Sequence, residues 1–221
     1  MKFSVLTLEF DGIIQMLRAY QYEMESQLGK LQKEEAVRID TLLESITDQD
    51  ERFVEEIAAG DDYNFTYEIM FPRSHRYSFV VLLFLNLDNF LTRLTDSIKK
   101  RDGHPIRAND LKGDIVARSR MYLHRIAKVS EPAAKIWENI EDLSKVRNCI
   151  VHTLGKVELS TDQKRIRDIA TTGTGLSIGD SGLNDGYLVL ESSYCEKAVN
   201  DVETLFIELF SKAGYTRYIS R

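Results

Sequence analysis

The chain has 221 residues, 43% of them hydrophobic and 29% charged, which excludes global disorder and suits one large domain, or one domain with a helical extension. Net charge is −6 but unevenly spread: residues 1–62 carry six Lys/Arg against fifteen Asp/Glu, whereas 93–128 carry ten Lys/Arg against four Asp. An acidic chain is a poor non-specific nucleic-acid binder, yet a local basic segment has the charge a phosphate backbone attracts; a solvated basic helix face has it too. Cys149 and Cys195 form neither a metal-like spacing nor a disulfide framework, which fits a reducing cytoplasm, and the first residues lack the pattern of a secretory leader.

In chain order, residues 5–28 place apolar side chains three and four apart, the mark of an amphipathic helix. Gly29 is expected to interrupt it. The period resumes over 31–46 and runs to about Ala59, where "AGDDYN" stops it, so 1–62 reads as an acidic helical arm or hairpin. "FTYEIMFPRSHRYS" (65–78) is aromatic-rich and broken by Pro72, which suggests a loop or short extended piece. A strong helix follows over 76–100. Its most apolar run, "FVVLLFLNLDNFL", is too short to span a bilayer and contains Asn86, Asp88 and Asn89, so a buried core helix is expected and no membrane partner.

A loop over 101–110 leads to a helix over 111–129. Ser130 then reads as a cap and Pro132 as the first turn of a helix ending near Leu154, with Gly155 as its stop. Residues 160–172 suit a short helix, 175–179 and 186–191 the strands of a β-hairpin, and 192–214 a closing amphipathic helix. The fold class is therefore mainly all-α: a helical bundle over 63–221 with a small β-hairpin before its last helix, preceded by the arm.

The stretch "KVRNCIVHTLG" (145–155) stands apart. At about 100° per residue, Ile136, Ile140, Leu143, Ile150, Val151 and Leu154 form one apolar stripe. Arg147 falls near its middle, and Asn148 and His152, four apart, share the adjoining flank. A guanidinium on a core-facing position is costly unless something meets it. Three arrangements would do so: a carboxylate such as Asp88 or Asp96, a packed stem with its head in water, or a stripe that opens onto a second subunit or an anionic ligand. A histidine can move a proton near neutral pH while an arginine neutralises a phosphate, the minimum equipment for metal-free RNA cleavage.

"LSKVRNCIVHTLG" resembles the R-N-x-x-x-H signature of the HEPN superfamily, helical bundles of which many are RNases of toxin–antitoxin, abortive-infection and CRISPR systems. The resemblance covers Arg147, Asn148 and His152 and, through the helical context, roughly 70–214; it leaves the arm unexplained. It implies a homodimer whose two motifs form one metal-independent RNA-cleaving site, without a cofactor. His152 would be the general base or acid, Arg147 would bind the scissile phosphate, and Asn148 would orient one or the other. Arg118, Arg120, Arg125 and Lys128 would guide RNA toward it, and a cognate antitoxin or regulatory protein is a further expected partner.

Other signals carry less. Cys149 and His152 lie three apart, but no third orienting residue accompanies them. The histidines (75, 104, 124, 152) have no zinc-ligand spacing. "TTGTGLSIGDSGLNDG" (171–186) lacks the Gly-Lys-Ser/Thr of a phosphate loop, and the aromatics of 63–77 suit packing as well as base stacking. Besides the RNase, two readings stay open: a non-catalytic HEPN-like nucleotide-, RNA- or protein-binding module, and a structural protein whose Arg147 belongs to a buried ion pair.

Overall fold

The computed structural model describes residues 5–172 and 175–216. Its elements are α1 (Val5–Ser45), α2 (Gln49–Tyr63), α3 (Phe71–Asp102), α4 (Ile115–Met121), α5 (Ala134–Thr153), α6 (Gln163–Ala170), β1 (Leu176–Ile178), β2 (Leu188–Leu190) and α7 (Ser192–Lys212). The chain is thus mainly all-α, with a two-stranded antiparallel hairpin pairing Leu176 with Leu190 and Ile178 with Leu188 before the closing helix.

α3 is the central post, with α1, α4, α5 and α7 packed around it. Phe79, Leu83, Leu87, Leu91, Leu94 and Ile98 recur at the helical period and are fully buried, each contributing roughly 1.5–3 kcal/mol relative to exposure. The first half of α1 belongs to this core. Phe10 is buried against Phe206 of α7, with ring centroids 4.5 Å apart, and meets Phe90 of α3 edge-on at 5.2 Å. Arg18 reinforces the contact by an ion pair to Glu203 at 2.6 Å.

The projecting arm is therefore shorter than the acidic segment 1–62. It comprises the second half of α1 and all of α2, where Leu28 and Leu43 are the buried apolar residues. α1 runs straight through Gly29, because single glycines weaken a helix without ending it when helix formers flank them. Asp48 caps α2 by accepting from the backbone N–H groups of Asp50 and Glu51.

The expected loop over 65–78 is helical instead. A π-helical stretch, Asn64–Met70, joins α2 to α3, and Pro72 lies in the first turn of α3. A proline inside a regular helix loses one hydrogen bond and clashes with the carbonyl four residues back; a π turn shifts the register, here with the Phe71 N–H donating to the Thr66 carbonyl. The resulting rod, Gln49–Asp102, is long and apolar enough by composition to cross a membrane, but half of its most apolar window is buried in the bundle. Residues 111–129 also divide, into α4 and a π-helical turn, Tyr122–Ile126. Ser130 is no cap either: α5 starts only at Ala134.

The end of α5 is fixed against α3 and the hairpin. Leu154 and Gly155 leave the helix with φ of 51° and 83°, a left-handed exit that a glycine eases. The Tyr77 hydroxyl of α3 passes so close that a Cβ on Gly155 would lie 2.0 Å from it, and it donates to the Leu188 carbonyl of β2 at 2.7 Å. Burial pushes the Tyr77 pKa up, so the hydroxyl keeps its proton.

Tyr77→Phe should lower stability by about 1–2 kcal/mol, because the Leu188 carbonyl loses its donor. Gly155→Ala should cost more, by combining a strained φ with a clash. Thermal melting reads both, and an unchanged midpoint for Gly155→Ala would show that the junction packs differently.

Candidate functional site

α5 buries Trp137, Ile140, Leu143, Val146, Cys149 and Ile150, with Ile136 partly buried beside them. The expected stripe therefore holds as far as Ile150 and then leaves the core. Val151 is 46% exposed and Leu154 76%. Arg147 sits where the stripe begins to emerge, and it is partly buried.

Its guanidinium carbon lies 4.6 Å from the centre of the Phe84 ring of α3. Nη1 donates to Asn148 Oδ1 at 2.8 Å, while Nε is buried and meets no hydrogen-bond acceptor. Among the described residues, no carboxylate pairs with Arg147. Asp88 instead accepts from Thr92 at 3.4 Å, and Asp96 is exposed. The buried ion-pair arrangement thus gives way to a guanidinium head packed on an aromatic ring, with no carboxylate against it. A cation over a ring face is stabilised by roughly 0.5–2 kcal/mol, less than a carboxylate would supply in such a place.

His152 is exposed, and its imidazole hydrogen-bonds to nothing within the described chain. Five residues place it about 140° around the helix and ~7.5 Å along it from Arg147. Asn148 shares the His152 flank, but its amide oxygen is taken by Arg147. Within one chain, therefore, the asparagine orients the arginine and the histidine stands apart.

Cys149 is 1% exposed, with its sulfur 3.4 Å from Thr153 Oγ1 rather than against His152. Burial pushes its thiol pKa up, away from the thiolate a nucleophile needs. Cys195 is fully buried, and its thiol is pushed up to about 12 by the same cause. Among the described residues, no three His, Cys, Asp or Glu side chains converge so as to hold a metal ion.

The four basic residues split. Arg120 binds Glu131 at 2.6 Å and Glu141 at 3.0 Å, with its guanidinium 5.6 Å from the Trp137 ring; it is a clamp on the first half of α5. Glu141 precedes His152 by eleven residues, roughly 16 Å along the helix. Arg118, Arg125 and Lys128 form no ion pair among the described residues, and Arg125 and Lys128 are exposed. Their segment packs near Trp137, where the His124 ring meets the indole edge-on at 5.9 Å, so it lies toward the opposite end of α5 from His152.

Cations nearer the motif's end went unnoticed in the sequence. The Arg73 guanidinium carbon and Lys156 Nζ lie 4.6 Å and 4.9 Å from the centre of the Tyr187 ring. Their positions after Pro72 and after the helix-stopping Gly155 are the available signal, while the pairing with Tyr187 exists only once the hairpin folds back. No protein-family model, curated protein or solved structure matches the chain.

Both thiols should resist a disulfide exchange reagent near pH 8 in the native protein and react fully once it is unfolded. Fast native reaction of one thiol would show that its burial is wrong.

Proposed function

We propose that this chain is a metal-independent endoribonuclease of HEPN type, acting in the cytoplasm as a homodimer, with a toxin or phage-defence role. A single observation carries the reading: Arg147 is held at the edge of the core by a ring and an amide, without a carboxylate, five residues before an exposed histidine. A guanidinium with no carboxylate against it and with donors to spare is suited to a phosphate, two of whose oxygens can accept its paired N–H bonds.

In the proposed reaction, His152 takes the proton of a ribose 2′-hydroxyl. The freed oxygen attacks the adjacent phosphorus, and the 5′-oxygen leaves with a proton from a second acid. The products are a 2′,3′-cyclic phosphate and a 5′-hydroxyl. Arg147 neutralises the charge that gathers on the phosphate, and Asn148 holds the guanidinium in place.

The divergence of Arg147 and His152 around the helix gives the second subunit its role, because a partner's motif could complete what one chain separates. Exposed Val151, beside His152, and Leu85, next to Phe84 in the chain, are apolar surface for such a partner to cover. Both cysteines are free thiols, in keeping with a reducing compartment. The acidic arm, with Phe53, Val54 and Ile57 exposed, remains for a cognate antitoxin or regulatory protein. The same divergence also favours a second reading, a non-catalytic HEPN-like module that binds RNA or nucleotide through Arg147 alone.

Purified protein with RNA in EDTA should yield cyclic-phosphate ends. Arg147→Ala and His152→Ala should each slow cleavage by about a hundredfold or more. Cleavage equal to both variants and negligible would favour the binding module, cleavage abolished by EDTA would refute metal independence, and a strictly monomeric mass in solution would remove the composite site.

A further inference from the structure

Beyond Arg147, the end of α5 borders a groove of about 430 Å³. The π-helical stretch before α3, the first turns of α3, the exit of α5 and the hairpin turn enclose it. Phe65, Arg73, Ser74, Leu154, Leu183 and Tyr187 form its walls, and no carboxylate lines it. Its size lies within the roughly 300–1,000 Å³ of small-ligand pockets. Phe65, Leu154 and Leu183 are 43%, 76% and 57% exposed, more open apolar surface than one groove needs for packing alone.

Of the two cations at Tyr187, Arg73 lines the groove and Lys156 stands outside its lining, against the same ring; both are held in place yet not neutralised. An Arg73 terminal nitrogen donates to Asn184 Oδ1 and to the Leu183 carbonyl, and its Nε is buried without a partner. Lys156 donates to the Asp185 carbonyl at 2.7 Å, which leaves two of its three donors. Gly186, at φ 71°, lets Lys156 pass close: a Cβ there would lie 2.9 Å from its Nζ. Neither cation meets a carboxylate among the described residues. Apolar and aromatic walls with two uncompensated positive charges fit a ligand that is flat and apolar on one side and anionic on the other.

The helix pairing fixes where this groove lies. Tyr77 meets Gly155 and Phe84 lies under Arg147, so α3 and α5 run antiparallel, and the groove is about seven residues, or ~10 Å, along their seam from Arg147. We propose that the groove takes one nucleotide of a single-stranded RNA that flanks the phosphate at Arg147, its base against Phe65 and Leu154 and its phosphate at Arg73 and Lys156. The proposal rests on the RNA reading of the motif. Stacked duplex bases cannot enter such a recess, so the bound strand must be single.

The test is fluorescence anisotropy with the full chain in EDTA, using labelled 2′-O-methyl decauridine, which lacks the nucleophile and is not cut, and a 2′-O-methyl duplex of equal length. Phe65→Ala and Lys156→Gln should each weaken decauridine binding about tenfold, and Lys156→Gln should flatten the salt dependence by about one ion. Leu154→Asp, at a side chain already in solvent, should weaken it at least as much without loss of fold. The duplex should bind weakly and equally to all variants. Unchanged decauridine affinity in all three variants, with Arg147→Ala still weakening it, would overturn the groove and spare the motif. Absence of binding by the unaltered protein would overturn both.

Discussion

The antiparallel contact between α3 and α5 sets the position of everything that follows. At one level Phe84 offers its ring face to Arg147; at the other Tyr77 passes against Gly155 and bonds the hairpin at Leu188. Because α3 is buried along much of its length against α1, α4 and α7, it acts as a rigid rail. The end of α5 cannot shift along that rail without breaking the Tyr77 hydrogen bond or uncovering Phe84. The arginine, the exposed histidine and the groove walls are thereby held at fixed separations, as the proposed reaction at a phosphodiester requires.

The energetic tension at Arg147 follows from the same contact. Partial burial removes water from a guanidinium, and the usual remedy is a carboxylate. Here a ring and an amide oxygen supply part of the compensation, and neither cancels the charge. By contrast, Arg120 and Arg165 are tied to carboxylates, Arg165 to both Asp142 and Glu138, and Arg76 is paired with Glu25 in joining α1 to α3 and β2. Those arginines staple helices together. Arg147, Arg73 and Lys156 are positioned without a carboxylate partner, and that difference from the clamps is what the proposed binding surface rests on.

Much of the bundle was legible because its signals are local. The hairpin showed as alternating runs around turn glycines, and α7 as an unbroken apolar period. Pro72 misled, since a proline breaks a helix only if the hydrogen-bond register stays fixed, and the π-helical stretch before it changes that register. The acidic first 62 residues read as one arm because charge does not report packing: Phe10, Ile14 and Leu17 carry α1 into the core, while the acidic residues lie largely outside it. Arg147 stands out on the helical wheel, but a wheel cannot show that the stripe leaves the core after Ile150, nor that the ring beneath is Phe84. Tyr187, Arg73 and Lys156 are brought together by the hairpin's return, and no spacing in the sequence encodes that meeting.

The most direct measurement watches the arginine itself. In nitrogen-15-labelled protein, the Nε–H resonance of Arg147, assigned by its loss in Arg147→Lys, can be followed while 2′-O-methyl decauridine is added in EDTA. A guanidinium kept free for a phosphate should give a saturable shift of this resonance and slower exchange of its proton. A resonance that stays fixed while the strand binds would place the phosphate elsewhere and leave Arg147 as a packing residue.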